Sequence, residues 1–395
     1  MDKQVKIVLK SGKDQSLRRR HPWVFSGAIK KIYGQPAEGD LVEVYDNKEE
    51  QLGTGHYQDG SIAIRMLTFG EVGVGEDLYA TRVTNAWNHR RQEGLYDPGS
   101  GNAFRLVNAE GDGLPGLIID YYNGAAVIQV HSAGMFRNME HIVAALKNLD
   151  GLPVDTIYNK SKHTLPEKPG IQPSDQLLLG ERSEGEVLEN GYRFRINWER
   201  GQKTGFFIDQ RENRSLLKRY AKDRNVLNMF CFSGSFSVYA LGGGAALVHS
   251  VDSSGHAIDL TRENVEMNFG NAENHEAFAA DAFEFMQDID QKYDLVVLDP
   301  PAFAKHQRVL NNALQGYKRM NQKAIEQIRP GGILFTFSCS QAVSRENFRK
   351  SVFAAAANTG REVRILHQMS QPADHPVSIY HPEGEYLKGL VLKID

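Results

Sequence analysis

The sequence predicts an α/β protein. Its C-terminal domain should carry a mostly parallel, doubly wound sheet of seven strands, preceded by a small β-barrel and a small central α+β unit. Three observations carry that expectation. Strand-like and amphipathic helical segments alternate from residue 225 onward, short alternating runs separated by Gly and Asp turns fill the first 70 residues, and a helical stretch with Trp87 followed by short strands lies between them. With 395 residues, 41% hydrophobic and 24% charged, the chain has material for two or three packed cores and no composition that suggests disorder.

In chain order, residues 1–31 hold nine Lys/Arg against Asp2 and Asp14, whereas the whole chain has a formal net charge of -3. Polyanion binding is therefore expected of this segment and not of the surface at large. Alternating runs at 41–45 and 62–67 suit a small β-barrel domain at 1–70. A central domain at 71–185 should contain a helix carrying Trp87 and His89, strands at 104–107, 117–121 and 125–131, a helix at 136–149, a strand at 156–159 and an exposed loop at 160–175. Asn190 and Gly191 both tolerate positive φ and predict a hairpin between 187–188 and 192–198, opening a last domain at 186–395. That domain should contain strands at 225–230, 247–252, 276–279, 293–299, 332–337, 362–366 and 386–392. Helices separate the first six, so the last two should pair antiparallel.

The candidate chemistry lies at strand ends, where open α/β sheets bind ligands. The first strand of the domain runs into Phe230, Ser233 and Gly234 and then a helix, and the second ends at Asp252, placed to accept ribose hydroxyls. Without GxGxxG the turn suits a cofactor that lacks a pyrophosphate, which favours S-adenosylmethionine over a nicotinamide dinucleotide. Asp281 follows the third strand, where it is expected to meet the adenine amine. The fourth strand ends in Asp299-Pro300-Pro301, a stiff lip for a planar base, with Asp299 facing donor or base. The fifth ends in Ser338-Cys339-Ser340, which brings a thiol nucleophile to the same edge.

Several runs together resemble one family over nearly the whole chain: bacterial large-subunit ribosomal RNA cytosine-carbon-5 methyltransferases with an N-terminal PUA domain. They are RRHPWVFSG at 19–27, EGDGLPGL at 110–117, KTGFFIDQR at 203–211, DHP at 374–376 and PEGEYLKG at 382–389. The resemblance implies a Rossmann-like class I methyltransferase domain and a central domain that helps recognise RNA. It also implies that the 203–211 segment, with Lys203, Asp209 and Gln210, wraps the cofactor, although these residues also read as salt-bridge or capping groups. Arg18, Arg19 and Arg20 beside Trp23 and Phe25 combine phosphate-binding cations with stacking surfaces, and ribosomal RNA is the expected partner.

Cys339 is expected to be the catalytic nucleophile, with Asp299 steadying the base, and Cys231 to be buried structure. His375 is either a proton shuttle or an ordinary loop residue and is left outside the catalytic set. The cysteine spacing offers no metal motif. No run approaches the roughly 18 apolar residues of a membrane span, so a soluble, cytoplasmic protein is expected, compatible with a homodimer. Competing readings are a methyltransferase for an exocyclic nitrogen, a non-catalytic RNA-binding assembly factor and, more remotely, a dehydrogenase.

Overall fold

The computed structural model describes residues 5–395 apart from Glu76, Asp290, Lys305 and the side chain of Asp288; Asp2 and Lys3 of the expected basic segment lie outside the described residues. The chain forms two compact units. The first runs to Val187 and includes Ile196–Phe206 and Ala373–Gly384, and the second comprises Leu188–Arg195, Phe207–Pro372 and Glu385–Asp395.

The first unit opens with β1 (Val5–Leu9), α1 (Gln15–Arg18), β2 (Trp23–Phe25), β3 (Ile29–Tyr33), β4 (Leu41–Tyr45), β5 (Gln51–Tyr57) and β6 (Ile62–Phe69). Among the described residues these strands form a six-stranded sheet in the order β2-β6-β5-β4-β1-β3, with β1 and β4 parallel. Strand alternation points Val42 and Val44 into a core with Ile7, Leu9 and Ile64 while Leu41 faces solvent.

A second sheet in this unit has its own core. After α2 (Leu78–Gln92) come β7 (Ala103–Asn108), β8 (Leu117–Tyr122), β9 (Ala125–Val130), α3 (Ala133–Arg137), α4 (Met139–Lys147), β10 (Thr156–Lys160) and β11 (Asp175–Leu179), ordered β11-β10-β9-β8-β7. The single helix expected at 136–149 is two helices meeting at Asn138, whose amide donates to the Gly134 carbonyl at 2.8 Å, a local bond that competes with regular helix geometry. The expected loop at 160–175 is shorter, because Lys160 ends β10 and Asp175 opens β11; β11 went unforeseen because its run DQLLL has no alternation. The segment 373–384, expected within the last domain, belongs to this unit. Asp374 accepts from the Arg105 amide at 3.0 Å through its side chain and from Arg90 at 2.7 Å through its carbonyl. Arg90 also pairs with Asp112 at 2.5 and 2.7 Å, so a wholly buried guanidinium has its acceptors supplied.

Strands β12 (Glu184–Glu189) and β13 (Tyr192–Asn197) form the expected hairpin, with Asn190 at φ 50° and Gly191 at φ 82°, the signs a type I′ turn requires. The second unit continues with α5 (Arg211–Tyr220), β14 (Asn225–Met229), α6 (Ser235–Gly242), β15 (Leu247–Asp252), α7 (Gly255–Phe269), β16 (His275–Ala279), α8 (Ala282–Phe285), β17 (Leu295–Leu298), α9 (Leu310–Gln327), β18 (Gly332–Ser338), α10 (Arg345–Thr359), β19 (Val363–Met369) and β20 (Lys388–Ile394). The sheet order is β16-β15-β14-β17-β18-β20-β19, parallel through β18, with β20 antiparallel to both neighbours. Leu227, Met229, Val296 and Leu298 enter one core while Val226, Leu295 and Val297 enter another, so both faces are covered and these strands read as unbroken apolar runs. The chain winds away from β14 toward β16 and then returns to β17. This reversal opens a crevice at the carboxyl ends of β14 and β17. No helix among the described residues is long and apolar enough to cross a membrane.

Candidate active site

The turn after β14 is held in an unusual backbone. Phe230, Phe232 and Gly234 take φ of 59°, 47° and 69°. The two phenylalanines carry a steric cost of about 1 to 2 kcal/mol each there, which the surroundings must hold in place. They do so through named bonds: Cys231 N–H donates to Val251 O at 3.1 Å, Phe232 N–H to Asp252 Oδ2 at 3.1 Å, Asn264 Nδ2 to Ser233 O at 2.8 Å and Thr261 Oγ1 to Phe232 O at 3.0 Å. Gly234 needs both its positive φ and its missing side chain, since a Cβ would stand 2.5 Å from the Thr261 methyl carbon.

Asp252 closes the neighbouring strand with its carboxylate aimed by two backbone amides, Phe232 at Oδ2 and Ser254 at Oδ1, 3.0 Å away. Phe230, Ser233, Gly234 and Asp252 thus lie together at the carboxyl ends of β14 and β15. A strained glycine turn beside an oriented carboxylate fits a ribose-bearing ligand without a pyrophosphate. Asp281 has a further occupation: its Oδ1 accepts from the Phe283 and Glu284 amides at 2.8 and 3.0 Å and caps α8.

Asp299 follows β17 and accepts from Gln210 Nε2 at 3.0 Å, and Gln210 Oε1 accepts from Asn213 at 2.6 Å. The second bond fixes which way the amide points. Gln210, expected at the cofactor, thus sits against Asp299 with its amide oriented by Asn213. Asp209 is buried and accepts from the Tyr386 hydroxyl at 2.7 Å. Lys203, expected in the same segment, falls in the first unit.

At the end of β18 the side chains of Ser338 and Ser340 both meet the Tyr317 hydroxyl at 2.9 Å and are fully buried. Alternation then turns Cys339 to the opposite side. It is part-exposed, with Sγ 4.0 Å from the Pro300 carbonyl oxygen. Lys388, at the start of β20, donates to Ser340 O at 2.7 Å. Neither Tyr317 nor Lys388 was singled out from sequence: Tyr317 sits in an ordinary amphipathic helix, and Lys388 was one letter of a longer motif. Cys231, by contrast, is buried against Ile258, Ala277 and Thr261, and burial pushes its thiol up to about 12.

A family model for S-adenosylmethionine-dependent methyltransferases matches residues 109–380, more than half of the chain, and a PUA-like domain model matches 7–69. The chain belongs to the S-adenosylmethionine-dependent methyltransferase family. Within it, the chain is similar to the ribosomal RNA large subunit methyltransferase I of Pseudoalteromonas atlantica, 40% identical over 395 residues, covering 98% of this chain and 99% of the relative. The protein of that name from Alteromonas mediterranea is 38% identical, covering 98% of each chain. A solved Streptococcus mutans chain of the methyltransferase class shares the fold with a TM-score of 0.83 at 21% identity, over 98% of this chain and 99% of its own. A second solved chain of that class, complexed with SAH, gives 0.84 at 22% identity with the same coverage.

In this methyltransferase the residues expected to meet RNA lie in the PUA-like region, and two of them have close partners. Arg18 is taken up by Asp14 at 2.7 Å, Asp46 at 2.9 Å and Glu50 at 2.7 Å, and these carboxylates, Glu50 foremost, hold its guanidinium firmly charged. Its charge is compensated on the spot. Trp23 is engaged too, donating to Glu110 at 2.8 Å with its ring 4.3 Å from that of His381. Arg18, Arg19, Arg20 and Phe25 are exposed, and a cleft of about 330 Å³ counts Lys13, Ser16 and Phe25 among its lining residues. His375, considered as a proton shuttle, is buried in the first unit with Nδ1 3.1 Å from Asp374.

Proposed function

We propose that this methyltransferase acts on carbon 5 of a cytosine in large-subunit ribosomal RNA through a covalent adduct with Cys339. The observation that carries the reading is the part-exposed thiol one strand away from Asp299-Pro300-Pro301, turned there by the Ser338–Tyr317–Ser340 clamp. The names of the full-length relatives support the RNA substrate.

Carbon 5 of cytosine is a weak nucleophile. Addition of the Cys339 thiolate to carbon 6 makes carbon 5 electron-rich, and Asp299, aimed by Gln210, hydrogen-bonds the base and steadies the adduct. S-adenosylmethionine, when bound, supplies the methyl group from its sulfonium centre. Loss of the carbon-5 proton then expels the thiolate and restores the ring. Phe230, Ser233, Gly234 and Asp252 line the crevice that would hold the donor, with Asp252 accepting from the ribose hydroxyls and Asp281, beyond its capping bonds, near the adenine. Lys203 and Asp209 are further candidates from the 203–211 segment. Arg18, Arg19, Arg20, Trp23 and Phe25 are the proposed RNA contacts, Arg18 and Trp23 keeping the partners described above.

Methylation of an exocyclic nitrogen fits less well. The aromatic residue after the double proline, Phe303, packs on Tyr317 with ring centroids 4.6 Å apart, leaving it poorly placed to stack a base. Ribosomal RNA carrying 5-fluorocytosine separates the two readings, because fluorine at carbon 5 blocks the elimination and traps the adduct. Wild type and Cys231→Ala should trap, and Cys339→Ala should not. An adduct that persists without Cys339, or normal methylation by Cys339→Ala, defeats the cysteine mechanism.

A further inference from the structure

Arg214 on α5 and Glu189 at the end of β12 form an ion pair shut off from water, their side chains 1% and 0% exposed. Nε and Nη2 of the guanidinium clasp the carboxylate at 2.8 and 2.6 Å. The third nitrogen, Nη1, is aimed elsewhere: it donates to the Phe207 carbonyl at 2.9 Å and to Ser235 Oγ at 3.4 Å. The Tyr239 hydroxyl joins the cluster by donating to Glu189 Oε1 at 3.0 Å. Ser235 and Tyr239 lie one turn apart on α6, the helix that the glycine turn enters, so the pair meets that helix along a single face. Phe207, whose carbonyl Arg214 holds, sets its ring edge-on against Phe232 with centroids 5.1 Å apart. Phe232 is the turn residue at φ 47° whose amide donates to Asp252.

Stability does not call for charge at this position. Burying an ion pair costs desolvation that its Coulomb attraction roughly offsets, and apolar residues of similar volume commonly serve a fold as well or better. What an apolar pair does not supply is direction. A guanidinium presents its donors in a rigid planar fork, so two bonds to Glu189 fix where the third nitrogen points. We infer that Arg214 is a positioning residue for the methyl donor. Anchored by Glu189, it holds Phe207 on Phe232 and the first turn of α6 behind Gly234, and so keeps the strained turn in the shape that presents Asp252 to the ribose. The inference rests on the donor crevice proposed above and is independent of the cysteine mechanism. Arg214 acts on the donor through the turn.

The test compares the full-length wild type with Arg214→Lys and with a double variant, Arg214→Met with Glu189→Leu, which removes both charges and leaves neither buried alone. The denaturant midpoint of the double variant should stay near that of wild type. Its affinity for S-adenosylmethionine by calorimetry should nevertheless fall about tenfold, with KM for the donor rising by as much and kcat at saturating donor held within about twofold. Arg214→Lys keeps the charge but not the fork and should lose about threefold. Hydrogen exchange in the donor-free protein reads the turn directly: amides of residues 231–235 should exchange about tenfold faster in the double variant, with those of β17 and β18 unchanged. Arg214→Lys carries the same readouts where the double variant fails to fold. Donor affinity at the wild-type level in a folded variant overturns the inference, as does a turn that exchanges at the wild-type rate. Asp252→Ala tells that failure from a failure of the crevice: weakened binding there leaves the crevice standing and removes only Arg214, whereas normal binding means that the crevice itself is misassigned.

Discussion

The chain places one cysteine after β14 and another after β18, strands of one sheet separated only by β17, and the two sulfurs meet different surroundings. After β14 the backbone leaves the extended region at once, with Phe230 and Phe232 at positive φ, and Cys231 is turned against Ile258, Ala277 and Thr261. After β18 alternation persists for two more residues. The serines on one face are held by Tyr317, and the thiol between them reaches the other side near Pro300. A strand end thus supplies a nucleophile only where the backbone stays extended long enough to aim it. Where the chain must bend closely around a ligand, the same residue type becomes packing.

The comparison breaks most visibly at Cys339. Cys339→Ala should lower methyl transfer to ribosomal RNA by at least about a thousandfold, the scale on which removing a nucleophile acts, with S-adenosylmethionine affinity unchanged by calorimetry. Transfer at near wild-type rate would make the two cysteines equivalent spectators. At the other strand end, Asp252→Ala removes an acceptor for the ribose and one that holds the strained turn. Each charge-assisted bond is worth about 1.5 to 3 kcal/mol, so donor affinity should fall at least tenfold. Unaltered calorimetric affinity would take Asp252 out of the site.

Tyr317→Phe sharpens the β18 side. It leaves the hydroxyls of Ser338 and Ser340, both fully buried, without their shared partner, which should cost about 1 to 3 kcal/mol in denaturant unfolding and loosen the aim of Cys339. Stability at the wild-type level would mean that the clamp is not holding the strand end. The smallest effect belongs to Cys231→Ala, a loss of roughly 1 kcal/mol for a small buried group with methyl transfer intact. Alkylation distinguishes the two thiols without any substitution. With Cys231 pushed up to about 12, its thiolate fraction at mildly alkaline pH is on the order of a thousandfold below that of an ordinary thiol, so Cys339 should be modified first. Equal rates for both peptides would contradict the burial assigned to Cys231.

Much of the architecture was readable along the chain because it depends on short-range periodicity. Unbroken apolar runs separated by amphipathic helices specified the parallel sheet, Asn190-Gly191 specified a turn with two positive φ values, and an acid or thiol after each of several strands marked the crevice edge. Where the signal was not periodic the reading failed, as at β11 and at the helix break on Asn138. Nothing local to Arg18 shows that residues 28 and 32 positions later, Asp46 and Glu50, pair with it.

The sequence by itself determined the order of elements, the edge of the sheet that carries chemistry and the residue types available there, since each follows from neighbours a few positions apart. Only the tertiary structure decided what those residues do. It engaged Gln210 with Asp299, drew Asp374 into the first unit, sealed Cys231 and left Cys339 part-exposed near Pro300. The physical reason is that burial, hydrogen-bond partners and proton affinity are set by groups distant in the chain, and folding alone brings them within a few ångströms.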